Sequence, residues 1–330
     1  ETFAAFLDHT DDQIGRFVDG LQAMGELDNT ILVLLADNGA SQEGGASGTM
    51  HEMKHFNGIK ESPDEAIKRI DDIGGPSSHT NYPWGWAQCG NSPFRWYKTL
   101  THEGGVHVPM IVHWPSGLGD TAGTKRDQFT YVSDIVPTIY EILGITPPVS
   151  YRGNDQLPVT GHSFVSVLDD VDAPATNTLQ YFEFAGNRAI IAERDGVWWK
   201  AVTRHQPGAD FDTEPWELFD LTTDPSECHD LADRVSDRLD ELIALWWQEA
   251  ETHGVLPLDE RRLELFIPRL NDHSVHRPDR RYTYRPPMSP IPTRTAASLT
   301  DRAVDITARV TSMKGDEGVL LATGNQNSGC

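Results

Sequence analysis

The chain has 330 residues, of which 38 % are hydrophobic and 23 % charged, the balance of an ordinary globular protein with a sizeable core. No apolar run approaches the roughly 18 residues that a membrane span needs. The formal net charge of −23 argues against a nucleic-acid binder, whose affinity rests on cationic contacts to phosphate. The three cysteines, Cys89, Cys228 and Cys330, form no CxxC pair, so neither a zinc ribbon nor a disulfide framework is indicated.

Phe3, Phe6, Leu7, Ile14, Phe17, Val18 and Leu21 recur mostly at spacings of three and four, which predicts an amphipathic helix over residues 1–25. Asp28-Asn29-Thr30 makes a loop, and residues 31–36 (ILVLLA) predict a strand without alternation, buried on both faces. Helix followed by buried strand reads as half of a βαβ repeat. The strand runs into Asp37-Asn38-Gly39. Those residues are strong turn chemistry. They also put a carboxylate and an amide oxygen at a strand tip, where open α/β sheets bind ligands and where a hard cation such as calcium finds oxygen donors. The two readings are compatible.

Residues 37–95 are Gly-rich and poorly periodic, a texture more often functional than idle in a compact domain. Tyr82, Trp84 and Trp86 can line a pocket there or form the insertion's own core, and packing is the commoner fate of such aromatics. HEMKH at 51–55 fits the H-E-x-x-H pattern of zinc peptidases. Its context argues for a short loop helix instead, because glycines precede it closely and Asn57-Gly58 ends it. A second strand is predicted over 106–114, and a helix over Val132–Leu143 that stops at Gly144. From about residue 178, short runs such as AIIAERD and GVWWKAVT predict an antiparallel sheet. Asp224-Pro225-Ser226 then opens a helix with Leu231, Leu239, Leu242, Leu245 and Trp246 on its apolar side. Residues 268–295 are rich in Pro and Arg, as in a linker, and 300–322 turn strand-like again.

Several blocks together resemble the type I sulfatases of the alkaline phosphatase superfamily. They are HTDDQIGRFVDGLQAMGELDNTILVLLADNGAS, the stretch ending YPWGWAQCGNSPFRWYKTLTHEGGVHVPMIVHWP, SDIVPTIYEILGI and WELFDLTTDPSECHDLA. The likeness covers most of residues 1–285 and is to the C-terminal portion of the family, the YPWGWA block and the tail GDEGVLLATG looking like those of long bacterial arylsulfatases. It implies an α/β fold. Part of an alkaline-phosphatase-like mixed sheet flanked by helices is expected over 1–177. An antiparallel sheet plus helix follows over 178–267, a Pro/Arg-rich linker over 268–299, and the start of a β-rich module over 300–330.

The resemblance also implies a chemistry: hydrolysis of a small sulfate ester, with neither nucleic acid nor a membrane span involved. Asp37 and Asn38 match the family's calcium-ligating Asp-Asn pair. Lys98 matches the lysine that contacts the sulfate oxygens. Glu103, Gly104 and Gly105 match a structural EGG turn, while His102 and His107 inherit no role, His107 reading as an exposed strand position. The family nucleophile is a formylglycine made from Cys or Ser in a C/S-x-P-x-R motif. Cys89 is followed by Gly-Asn-Ser-Pro and Cys228 by His-Asp-Leu-Ala, Cys330 is the last residue, and no Ser fits. The chain therefore reads as a fragment whose nucleophile lies upstream and which is inactive alone. Two further readings stay open, a phosphomonoester or phosphonate hydrolase of the same superfamily and an inactive homologue.

Overall fold

The computed structural model describes residues 1–52, 61–81, 83–261, 281–285, 291 and 305–311. Residues 1–260 make one compact unit and 261–330 a second. The described part of the second unit contains neither helix nor strand. Strand structure expected over 300–322 is not formed at 305–311. Ile306 and Val310 are exposed there, and nothing among the described residues pairs with them. The remainder of that expectation, and most of the linker expected over 268–299, lie outside the described residues.

Helix α1 (Thr2–Met24) forms as the periodicity requires and is closed by Gly25 in the left-handed conformation, φ 74°. It buries none of its residues, so the apolar stripe with Phe6 and Phe17 faces outward. Strand β1 (Leu32–Leu35) differs from expectation in the same sense. Its one ladder among the described residues is antiparallel, to β2 (Met110–His113), and Leu34 is 46 % exposed. The apolar run promised burial on both faces of a βαβ unit. An antiparallel pair whose outer-face Leu34 and Ile111 stay 46 % and 59 % exposed does not deliver it. The second strand is also shorter than 106–114, because its first residues form a helical turn and an extended lead-in.

Four short helices separate and follow these strands: α2 (Pro63–Lys68), α3 (Trp84–Gly90), α4 (Glu103–Val106) and α5 (Pro115–Leu118). On α3 it is Ala87 that is buried, while Trp84 and Trp86 are 47 % and 66 % exposed. The aromatics therefore do not build a core of their own, and Tyr82 lies outside the described residues. Helix α6 (Ile135–Leu143) ends at Gly144, φ 64°, as read from the sequence. Just before it, the buried Asp134 carboxylate accepts the Tyr131 and His162 N–H groups at 2.7 and 2.8 Å, tying the helix start to the chain beyond it. A small hairpin, β3 (Ser150–Tyr151) and β4 (Asn154–Asp155), and helix α7 (Val165–Asp169) follow.

The antiparallel sheet expected from residue 178 is a four-stranded meander: β5 (Leu179–Phe184), β6 (Asn187–Arg194), β7 (Val197–Thr203) and β8 (Glu217–Asp220). Side chains alternate across it with period two. One face presents Ile190, Ala192, Ala201 and Leu218 to helix α8 (Ser236–Thr252), which buries Leu242, Trp246 and Ala250 against them. Trp246 keeps its indole N–H satisfied by the Phe182 carbonyl at 3.1 Å. The other face presents Ala189, Ile191, Val202 and Phe219 to Val106, Phe129 and Tyr131. Alternation puts Lys200 and Glu217 on this second face as well, which matters below.

Helix α8 starts at Ser236, twelve residues beyond Asp224. Asp224 makes a turn because its carboxylate accepts the Cys228 and His229 N–H groups at 2.9 and 2.8 Å. Asp230 accepts those of Leu218 and Ala232, pinning the segment to β8 before the helix begins.

Candidate active site

The antiparallel register of β1 and β2 places the end of β1 beside the start of β2, with Leu35 opposite Met110. Asp37-Asn38-Gly39 is thereby carried onto Glu103-Gly104-Gly105, 64 or more positions later in the chain. The two segments meet backbone to backbone. Gly39 donates its N–H to the Gly105 carbonyl at 3.0 Å, and a Cβ on Gly39 would lie 1.8 Å from the Gly104 oxygen. A Cβ on Gly104 would lie 2.1 Å from the Trp96 oxygen, and one on Gly105 would lie 1.8 Å from that of Leu100. Only glycine permits such an approach. The EGG segment is the opening of helix α4 rather than a simple turn, because Gly105 and Val106 both return N–H bonds to His102.

Lys98 joins the cluster through its backbone: its N–H donates to the Ala40 carbonyl at 3.1 Å. Asn91 braces the junction. Its Oδ1 accepts the Ala40 N–H at 2.9 Å, and its Nδ2 donates to the Trp96 and Gly104 carbonyls at 2.9 and 2.7 Å. Trp96 and Thr99, on either side of Lys98, hold left-handed φ values of 65° and 79°. For a β-branched residue that conformation costs on the order of 1–3 kcal/mol, and it persists where the surroundings over-determine it. Those surroundings include Asn187 of β6, whose Nδ2 donates to the Thr99 carbonyl at 3.1 Å.

The exposed Asp37 carboxylate has no hydrogen-bond or ion-pair partner among the described residues. Asn38 donates Nδ2 to the Gly39 carbonyl at 2.8 Å, leaving Oδ1 free to accept or to ligate. Lys98 Nζ lies 2.7 Å from Glu43 Oε1, and Ser41 Oγ donates to the second oxygen of Glu43 at 2.9 Å. Burial by itself would raise the Glu43 pKa, but the hydrogen bonds and charge from Lys98 and Ser41 outweigh it and lower it.

Behind the glycines lies a buried ionic network. Lys200 Nζ sits 2.7 Å from Glu103 Oε1 and 3.0 Å from Glu227 Oε1, with all three side chains buried. Glu227 also accepts the Glu103 backbone N–H at 2.9 Å, and His107 Nδ1 meets the second Glu103 oxygen at 2.7 Å. His107 is exposed as expected, but it precedes β2 rather than lying in it, and its ring stacks on Phe94. Burial would raise the Glu103 pKa; Lys200 and His107 overcome it and hold the group at about 2. Burial likewise opposes the Lys200 charge, yet the two carboxylates raise its pKa. Alongside, Glu217 bridges Arg95 at 2.8 Å and the buried His102 at 3.0 Å; these bonds overcome its own burial and bring it to about 2. Burial lowers the His102 pKa, so the neutral ring donates Nε2–H to Glu217.

A cleft of about 500 Å³ opens along this network, lined by Gln88, Arg95, Glu217, Glu227, Cys228 and Asp230. Asp37, Asn38 and Lys98 do not line it, and its charged groups already serve the bonds above. Of the HEMKH motif, His51 forms a β-bridge to His79 and Glu52 lies 3.4 Å from His79, while His55 is outside the described residues. Among the described residues no three or more His, Cys, Asp or Glu converge to hold a metal. No helix among them is long and apolar enough to cross a membrane.

Comparison with known proteins gives a consistent picture. Residues 1–145 match the family Sulfatase, and residues 92–249 match the family described as N-sulphoglucosamine sulphohydrolase, C-terminal. An uncharacterized sulfatase of Schizosaccharomyces pombe is 32 % identical over 263 residues, 79 % of this chain and 45 % of that protein. An arylsulfatase of Klebsiella aerogenes is 31 % identical over 169 residues, 51 % of this chain and 34 % of that protein. Among solved structures, BT4656 in complex with its substrate D-glucosamine-2-N,6-O-disulfate aligns with a TM-score of 0.47 at 18 % identity, over 76 % of this chain and 40 % of that one. The chain thus spans less than half the length of these relatives.

Proposed function

Because the chain belongs to the type I sulfatase family of the alkaline phosphatase superfamily, we propose that it contributes the cation-and-sulfate half of a sulfuric ester hydrolase of arylsulfatase type. The observation that carries this reading is the convergence at the tip of β1. There an Asp37 carboxylate and an Asn38 Oδ1 without partners among the described residues, and the Lys98 loop, are held together by the Gly39–Gly105 and Lys98–Ala40 backbone bonds.

The donor set suits calcium in kind, since both ligands are oxygens. It falls short in number, because calcium takes six to eight. Asp37 and Asn38 would therefore hold one side of the ion, the other ligands and the formylglycine nucleophile coming from outside these 330 residues. When bound, the cation and the aldehyde hydrate supply charge withdrawal and the attacking oxygen. The residues of this chain do three things. Asp37 and Asn38 would hold the ion at the tip of β1. Lys98 donates N–H bonds to sulfuryl oxygens as their charge grows. The EGG backbone locks the two elements in register, so that little reorganisation accompanies reaction.

The reading is tested by Asp37→Ala and Lys98→Met in the enzyme that contains this chain. Each is expected to lower 4-nitrophenyl sulfate turnover by roughly 100-fold or more, the scale of losing an electrostatic contact to the transition state. The Asp37 change is also expected to abolish terbium luminescence sensitised at the site. Unchanged turnover in both variants would remove the assignments.

A further inference from the structure

Lys98 carries the proposed sulfate contact, yet it does not face the ligand as an unopposed cation. Glu43 takes one of its three ammonium protons at 2.7 Å. Glu43 is itself anchored. Its other oxygen accepts the Ser41 hydroxyl at 2.9 Å, five positions or fewer from the strand tip that carries Asp37. The neighbouring Gln42 is held by its side-chain bonds to Thr99 and to the Trp84 indole, at 3.3 and 3.0 Å. A carboxylate fixed by its second oxygen and by its loop does not swing aside when an anion arrives. Two Lys98 protons remain for that anion, and Lys98 and Glu43 are each about one-third exposed, so a ligand reaches them. The lowered Glu43 pKa keeps the carboxylate charged throughout the neutral range.

We propose that Glu43 is a specificity-determining residue that sets the charge of the anion seat, shifting its selectivity about tenfold toward a monoanionic sulfate ester and away from a dianionic phosphate ester. The inference rests on the reading of Lys98 as the sulfate contact. A sulfate monoester carries one negative charge and a phosphate monoester close to two above neutral pH. The tetrahedral heads are alike in shape, so donors and size discriminate poorly between them. Charge discriminates well. With Glu43 ionised, the Lys98–Glu43 pair is neutral, and the extra charge of a phosphate meets a fixed carboxylate about one lysine head-group away. At roughly 6 Å, with a screening intermediate between protein surface and water, that repulsion amounts to about a tenfold factor in affinity.

The test uses the enzyme that contains this chain, in calcium-containing buffer at pH 8, with 4-nitrophenyl sulfate and 4-nitrophenyl phosphate, the affinity of each read from its KM or, where it is not turned over, from competition. In Glu43→Gln, which keeps the shape and removes the charge, with the Ser41 hydroxyl turning to accept from the new amide, the sulfate-to-phosphate affinity ratio is expected to move about tenfold toward phosphate. Thermal unfolding of the variant, unchanged within a few degrees, shows that the loop persists. Lys98→Met is expected to lose both ligands. If Lys98→Met loses both and Glu43→Gln leaves the ratio unchanged, the role of Glu43 falls while that of Lys98 stands. If Lys98→Met leaves binding unaltered, or the wild type binds neither ester, the reading of Lys98 falls and takes the inference with it.

Discussion

Lys200→Met removes a buried cation while keeping most of its volume. Glu103 and Glu227, 5 % and 0 % exposed, would then face each other without their shared partner. Breaking a buried ion pair from one side costs about 3–5 kcal/mol. The structure narrows that range, because a stranded carboxylate can escape by taking up a proton. From the ordinary value of 4.5 to pH 7 is 2.5 units, so protonating one carboxylate costs about 3.4 kcal/mol, and the loss at pH 7 is expected near that figure. At pH 5 the same escape costs under about 1 kcal/mol, so the deficit should shrink by some 2–3 kcal/mol. Urea unfolding followed by tryptophan fluorescence measures both values, with the buried Trp246 reporting on the sheet. The triple variant Lys200→Met, Glu103→Gln, Glu227→Gln removes all three charges of this cluster and should recover much of the loss. A Lys200→Met protein within about 1 kcal/mol of wild type at pH 7, or a deficit of equal size at pH 5, would refute the assignment of Lys200 as the ion on which both carboxylates depend.

The network also shows how much of the molecule was legible in the residues. Helix α1, helix α6 with its Gly144 stop, and the meander from Leu179 followed from periodicity and turn chemistry, which are local signals. The start of α8 did not. Asp224-Pro225-Ser226 looks like a helix opening, but the Asp224 side chain closes a turn instead, and the choice is made by Asp230 bonding to β8 twelve residues back. Burial of β1 was misread for a related reason. Five apolar residues in a row report a preference for burial, not the presence of anything to be buried against. At the site, Asp37, Asn38 and Lys98 were named from motif position, and the structure adds what holds them. Gly39, Asn91 and Glu43 meet partners about 50 or more positions away, a pairing that no sequence spacing encodes. One clue was available. In GVWWKAVT a lysine stands in a strand of apolar residues, and a charge at an inward position needs a counter-charge. The sequence does not say that the counter-charges are Glu103 and Glu227.

Two further perturbations follow from the same geometry. Gly39→Ala would set a Cβ 1.8 Å from the Gly104 oxygen and force the strand tip off the EGG segment. It should destabilise the chain by about 1–3 kcal/mol, the scale of overpacking, and weaken terbium binding, read by sensitised luminescence. Wild-type luminescence and stability together would show that the close approach is not needed. Acid is the second. Glu103 and Glu217 both have folded values of about 2 against 4.5 when unpaired. A depressed carboxylate contributes stability that is fully present above about pH 4.5 and lost as pH falls through 2, so folding should weaken across that window. Glu103, nearly unexposed, accounts for about 3 kcal/mol of the loss, and the half-buried Glu217 for less. Urea midpoints at pH 5, 4 and 3 should therefore fall more steeply for wild type than for Glu103→Gln. That variant cannot take up the proton and begins from lower stability at pH 5. Parallel slopes for the two proteins would mean that Glu103 already shares its proton at neutral pH. Lys200 would then be holding Glu227 alone, and the link from the antiparallel sheet to the EGG glycines would have to run through the Glu227 bond to the Glu103 backbone N–H.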